Sequence, residues 1–201
     1  MVMRSRDASD SSNSEPPLVV WRIGICVAYN EFGASEHANP SLVSSPLRIA
    51  LGSDEKSHVT DFLARELEAR GCEVSLSGAL SVNSGEPRDW PDVAERVAME
   101  VTSGGADEGI LLCWTGTGVS IAANKMLGIR AALCVDAETA RGAKAWNQAN
   151  VLCLSLRTTT ETIAREILDA WFSARADSSE AGNVDKVNDM DARRTTAPLS
   201  R

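Results

Sequence analysis

The sequence predicts an α/β domain in which five parallel strands form one sheet with helices on both faces. Two observations predict it. Short apolar runs alternate with amphipathic stretches five times over about 125 residues, from Leu47 to Phe172. Such alternation gives a parallel sheet joined by helical crossovers. The junctions carry glycine, aspartate or threonine, the residues that turns and helix caps demand.

Leu47 to Leu51 reads as the first strand, with Gly52, Ser53 and Asp54 at its end. Val59, Phe62, Leu63 and Leu67 then make a helical stripe closed by Gly71, a glycine in the position just past a helix end. Cys72 to Leu76 is a second short strand, and Ser77 to Arg88 a loop. Asp89, Trp90 and Pro91 open a second helix whose stripe is Val93, Ala94, Val97, Ala98 and Val101; proline suits a first turn. Gly104 and Gly105 end it. Gly109 to Cys113 is the third strand. The loop Trp114-Thr115-Gly116-Thr117-Gly118 follows, then a helix marked by Val119, Ile121, Ala122 and Met126. Ile129 to Val135 is the fourth strand, and Asp136 caps a helix from Ala137 to Trp146. Asn150 to Leu154 is the fifth. Thr158 and Glu161 form a capping box for the last helix, whose core face is Ile163, Ala164, Ile167, Leu168 and Trp171.

Outside this unit the composition changes. Residues 1–46 are polar and rich in serine, apart from a strand-like run from Leu18 to Ala28. They are expected to be a poorly ordered leader lying upstream of the true start. A peptide from residues 1–40 in the mass spectrum of the native protein would overturn that start. Residues 47–174 form the domain, and the acidic residues 175–201 are expected to be a flexible tail.

Composition narrows the function. The chain has 201 residues, is 43% apolar and carries a net charge of -8, which argues against nucleic acid or an anionic membrane surface as partner. The run from Leu18 to Ala28 contains Arg22 and is too short to span a bilayer. The cysteines are Cys26, Cys72, Cys113, Cys134 and Cys153. Their odd number and lack of zinc spacing point to a reduced, cytoplasmic protein. With only His37 and His58, a histidine-rich metal site is excluded, and no metal is expected.

The chemistry gathers at the end of the third strand. Ligands of parallel sheets bind at the carboxyl ends of the strands, so Ser53-Asp54, Cys113-Trp114, Asp136 and Ser155 to Arg157 should converge. A glycine loop leading into a helix presents unpaired N–H groups to an anion. A thiol at that place is biased toward thiolate. Cys113 could serve as a base on carbon, with the loop N–H groups holding an enediolate. Cys134 and Cys153, inside strands, read as small core residues. Gly116 and Gly118 with Asp136 downstream look like the start of a dinucleotide fingerprint. Against that, Ile121 occupies the third glycine position and the loop follows the third strand rather than the first. The Gly-Lys-Ser/Thr ending of a P-loop is absent. Asp136 is most simply an N-cap. Lys56, Lys125, Arg130, Arg141 and Lys144 could neutralise a phosphate or could be solvated helix faces.

Residues 109–134, GILLCWTGTGVSIAANKMLGIRAALC, resemble the signature of the ribose-5-phosphate isomerase B / galactose-6-phosphate isomerase family of sugar-phosphate isomerases. The similarity continues from Leu47 to about Phe172, through IALGSD, DWPDVAERVA and WNQANVL. The resemblance implies a Rossmann-like three-layer sandwich, working as a homodimer or homotetramer with active sites shared between subunits. It implies interconversion of aldose and ketose phosphates, of the ribose 5-phosphate/ribulose 5-phosphate type in the pentose phosphate pathway. The route is an enediolate, with neither metal nor cofactor. Carried over by position, Cys113 is the base between C1 and C2, and Thr115 assists transfer at the oxygens. The N–H groups from Trp114 through Gly116, Thr117 and Gly118 form the enediolate hole. Asp54 contacts the region of the ring oxygen, Asn147 binds substrate, and Arg157 stands on the phosphate side.

The departures from the family pattern are as informative. Glu55 stands where the family usually has His after the strand-end Asp, and Trp146 where it has the His before Asn. The second of those histidines is the one credited with opening the furanose ring. Trp114 replaces the first Gly of Cys-Gly-Thr-Gly, and Trp90 a Tyr. The arginines that clasp phosphate have no clear match in Asp177 to Arg194. Glu55 and Trp114 therefore join the expected substrate-contacting residues. A tetrose 4-phosphate cannot close to a furanose and would need no ring opener. An acyclic tetrose phosphate, or a hexose phosphate, is thus the alternative substrate, and a non-catalytic sugar-phosphate-binding protein the alternative function.

Overall fold

A computed structural model describes residues 45–83, 85 and 88–196. Most of the expected leader, with the run Leu18 to Ala28, lies outside the described residues. Five strands, β1 (Arg48–Ser53), β2 (Glu73–Gly78), β3 (Glu108–Cys113), β4 (Ala131–Leu133) and β5 (Val151–Ser155), pair in parallel in the order β2-β1-β3-β5-β4. The helices are α1 (His58–Ala69), α2 (Trp90–Thr102), α3 (Thr117–Ala123), α4 (Ala137–Asn147), α5 (Glu161–Ser173) and α6 (Ala181–Thr196).

Successive strand residues point to opposite faces, and this sorts the core into two layers. Ile49, Leu51, Ile110, Leu112, Leu152 and Leu154 pack beneath α1, α4 and α5. Ala50, Leu111, Cys113, Val151 and Cys153 pack beneath α2 and α3. The result is the three-layer, Rossmann-like sandwich. Ile110, Leu111 and Leu112 of the central strand are fully buried, each contributing about 2 kcal/mol. At the start of β3, the Glu108 carboxylate accepts from Lys144 Nζ on α4 and from Trp171 Nε1 on α5. Lys144 Nζ also lies 4.8 Å from the centre of a Trp171 ring. One carboxylate thus ties the central strand to both helices above it.

Three expectations need correction. The fourth strand is Ala131–Leu133 rather than Ile129 to Val135. The Arg130 N–H donates to Asn150 Oδ1 instead of a strand carbonyl, and Asn124 takes both backbone groups of Ala131. Side chains thereby occupy this edge. The last domain helix is capped by Thr160, which accepts from the Ile163 N–H, not by Thr158. Thr159 N–H bonds back to Ser155 O and its side chain is buried, which holds the chain in a turn for two further residues. Finally, the tail expected to be flexible contains α6. Val184 on α6 is buried, Asp191 accepts from the Gly128 N–H at 2.8 Å, and Arg194 donates to Lys125 O at 2.9 Å. The spacing 184, 188, 191 is helical, but its sparse apolar content hid it among acidic residues.

Candidate active site

The central strand sets the position of the thiol. Cys113 ends β3 in register with Ser155 of β5, and Ser53 of β1 is in register with Leu112. Asp54, Cys113 and Ser155 therefore sit side by side along the carboxyl edge. Cys113 is only 5% exposed. Ser53 Oγ donates to Glu55 O at 2.7 Å and accepts from the Glu55 N–H, which folds the turn after β1. Asp54 Oδ1 is buried with no hydrogen-bond partner among the described residues. Burial pushes the Asp54 carboxyl above its ordinary value, and the neighbouring charge of Glu55 adds to this.

The loop after Cys113 turns on Gly116, whose φ is 74°. A Cβ there would lie 2.5 Å from Leu133 Cδ1 and 2.8 Å from Leu154 O, so both backbone hand and space require glycine. The Gly116 N–H returns to Cys113 O. Among the described residues no acceptor takes the N–H groups of Trp114, Thr115, Thr117 or Gly118. The Thr115 and Thr117 hydroxyls are hydrogen-bonded to each other at 2.7 Å and exposed. The loop therefore offers unpaired donors beside a thiol, an arrangement suited to stabilising a planar oxyanion. Trp114 is 58% exposed at the mouth of the loop. Trp90, at the start of α2, lies over Gly118, where an added Cβ would come within 3.1 Å of its ring.

Most of the predicted residues meet here. Asp54 and Glu55 follow β1, Trp114 through Gly118 follow Cys113, and Arg157 follows β5 with its N–H donating to Trp114 O. Asn147 does not join them. It ends α4, and its carbonyl accepts from Arg130 Nε just before β4 begins. That is the amino edge of the sheet, about 13 Å of strand away from Cys113. Trp146 lies at the same far end, over Gly142. Asp136 acts as a cap, its Oδ1 accepting from the Thr139 N–H, which also holds its carboxyl below the ordinary value. The basic residues weighed for phosphate are mostly engaged elsewhere: Lys56 with Asp61, Arg141 with Glu138, Lys144 with Glu108, and Arg130 with the end of α4. Burial pushes the Cys134 thiol up to about 12 and that of Cys153 upward as well, so both remain inert core thiols.

Two residues were not singled out from sequence. Ser155 appeared only as part of a strand end, yet its hydroxyl donates to Trp114 O at 2.9 Å. His58 begins α1 on the same sheet edge, four residues beyond Asp54, and is exposed. That spacing was its only signal. Among the described residues no group of three or more His, Cys, Asp or Glu is placed to hold a metal ion.

A thiol, a hydroxyl pair and an unpaired amide loop at the edge of a parallel sheet make a site suited to holding an oxyanion beside a base. Residues 49–189 match the family model described as Ribose/Galactose Isomerase. The chain belongs to that family and is an aldose–ketose isomerase of sugar phosphates. It is 41% identical to ribose-5-phosphate isomerase B of Escherichia coli K12 over 132 residues, covering 64% of this chain and 85% of that protein. It is 36% identical to D-erythrulose-4-phosphate isomerase of Pectobacterium atrosepticum over 147 residues, 70% of this chain and 93% of the relative. The solved structure of ribose-5-phosphate isomerase B from Clostridium thermocellum superposes with a TM-score of 0.67 at 35% identity, covering 74% of this chain and 99% of that one.

Proposed function

We propose that the chain interconverts an aldose phosphate and its ketose by moving one proton between C2 and C1, with Cys113 as the base. The observation that carries this is the Cys113 thiol beside a loop whose four amides lack internal acceptors. The thiolate takes the proton from C2 of the open-chain aldose. The electron pair moves onto the C1 oxygen and gives an enediolate. The free amides of the loop hold its oxygens, and Thr115 passes a proton between O1 and O2. Cys113 then returns the carbon proton to C1. Asp54 and Glu55 stand on the far side of the thiol to bind sugar hydroxyls, and Arg157 stands on the phosphate side.

The substrate is a pentose phosphate of the ribose 5-phosphate type. A tetrose 4-phosphate is a second reading, favoured by Trp114, which takes up room at the mouth of the loop. It is also favoured by the likeness to two relatives named for D-erythrulose 4-phosphate. Asn147 serves the site of another copy, because α4 carries it to the opposite edge of its own sheet. The working form is accordingly a homodimer or homotetramer with shared sites. Exposed Ile121, Leu127 and Trp146 supply apolar surface for the contact. The four described cysteines are free thiols, which favours a reducing compartment such as the cytoplasm.

Purified protein assayed with ribose 5-phosphate, erythrose 4-phosphate and allose 6-phosphate tests the reading. Turnover of one of them is expected, and Cys113→Ala should cut it about 1,000-fold, the usual worth of a positioned base. Failure of the wild type on every sugar phosphate would leave a binding protein. Ribose 5-phosphate turnover well above that of erythrose 4-phosphate would remove the tetrose reading.

A further inference from the structure

Trp114 O has two donors, Ser155 Oγ at 2.9 Å and the Arg157 N–H at 3.1 Å. Cys113 O is held by the Leu156 N–H at 3.0 Å. The carbonyls at the base of the loop are therefore drawn toward β5 by the segment that follows it. In a trans peptide the C=O and the next N–H point in opposite directions. Drawing the Trp114 carbonyl toward β5 turns the Thr115 N–H the other way, toward the side where β1 ends at Asp54. Ser155 is 6% exposed, and its register with Cys113 places both side chains on one face of neighbouring strands. A hydroxyl has a single proton to donate, and here the Trp114 carbonyl receives it.

We propose that Ser155 is a positioning residue for proton transfer: its hydroxyl sets the Trp114–Thr115 peptide so that the Thr115 N–H faces the enediolate. This rests on the reading of the loop as the enediolate hole. Ser155 itself touches no reacting atom. Its contribution is the orientation of a donor before the charge develops, which is where such donors have their effect.

The test is Ser155→Ala in the full-length protein, a change that removes one oxygen and leaves the Arg157 N–H on Trp114 O. Three readouts separate positioning from mere packing: the amide shift of Thr115, the split between kcat and KM, and inhibition by a phosphorylated aldonohydroxamate, a planar mimic of the enediolate. The Thr115 amide resonance should shift. kcat should fall about tenfold, less than for deletion of an oxyanion donor outright, with KM little changed. Hydroxamate affinity should fall by the same factor as kcat. An unchanged Thr115 amide, or a loss carried by KM with hydroxamate affinity intact, would overturn the proposal. A wild type inactive on every sugar phosphate would sink the enediolate reading instead. The amide measurement would still decide whether Ser155 orients this peptide.

Discussion

Asp54 carries a local cost that packing does not offset. A buried carboxylate oxygen without a donor costs about 1–3 kcal/mol, and Asp54 Oδ1 is one. Its raised carboxyl has a definite consequence. The folded protein holds this proton more tightly than the unfolded chain does, so stability falls as pH rises from the ordinary aspartate value through the raised one. Asp54→Asn should therefore raise the melting temperature at pH 7, by about 2–4 °C, and lose turnover. Calorimetry at pH 7 and at pH 4 checks the sign, because the gain should shrink in acid. The position of Asp54 at a strand end was legible in the sequence, and so were those of Cys113 and the glycine loop. The unpartnered oxygen was not. It depends on which donors other loops bring, and no local pattern records that.

Elements were legible where a periodic stripe met a helix start or stop signal, as in α1 and α2; in α5 the stripe was right but the cap is Thr160. They blurred where distant side chains decided the ends. β4 is short because Asn124 and Asn150 occupy its backbone groups, contacts that apolar runs do not reveal. The clasp at Glu108 is of the same kind, since Lys144 and Trp171 come from two later helices. The Lys144 and Glu108 side chains are only 20% and 17% exposed. Glu108→Ala should leave the lysine without its partner and cost about 3 kcal/mol, read as a lower urea midpoint.

At the scale of the molecule, the sheet order places β3 between β1 and β5, so one edge collects the ends of three adjacent strands. α6 closes the other end, where Asp191 and Arg194 hold the turn between α3 and β4. The alternation of strands and helices made the layers readable, whereas α6, with few apolar residues, was read as tail. The direction of α4 has a consequence in heredity. It starts at the carboxyl edge of the sheet and delivers Asn147 to the other, so the proposed site draws its thiol and its asparagine from different copies. Cys113→Ala and Asn147→Ala should then be complementing alleles. Each homodimer is defective, but a mixed dimer contains one site with both residues intact. Co-expression or mixed refolding of the two variants should restore about a quarter of wild-type activity, the statistical share for a two-fold dimer. Absence of any recovery would mean that each chain builds its site alone.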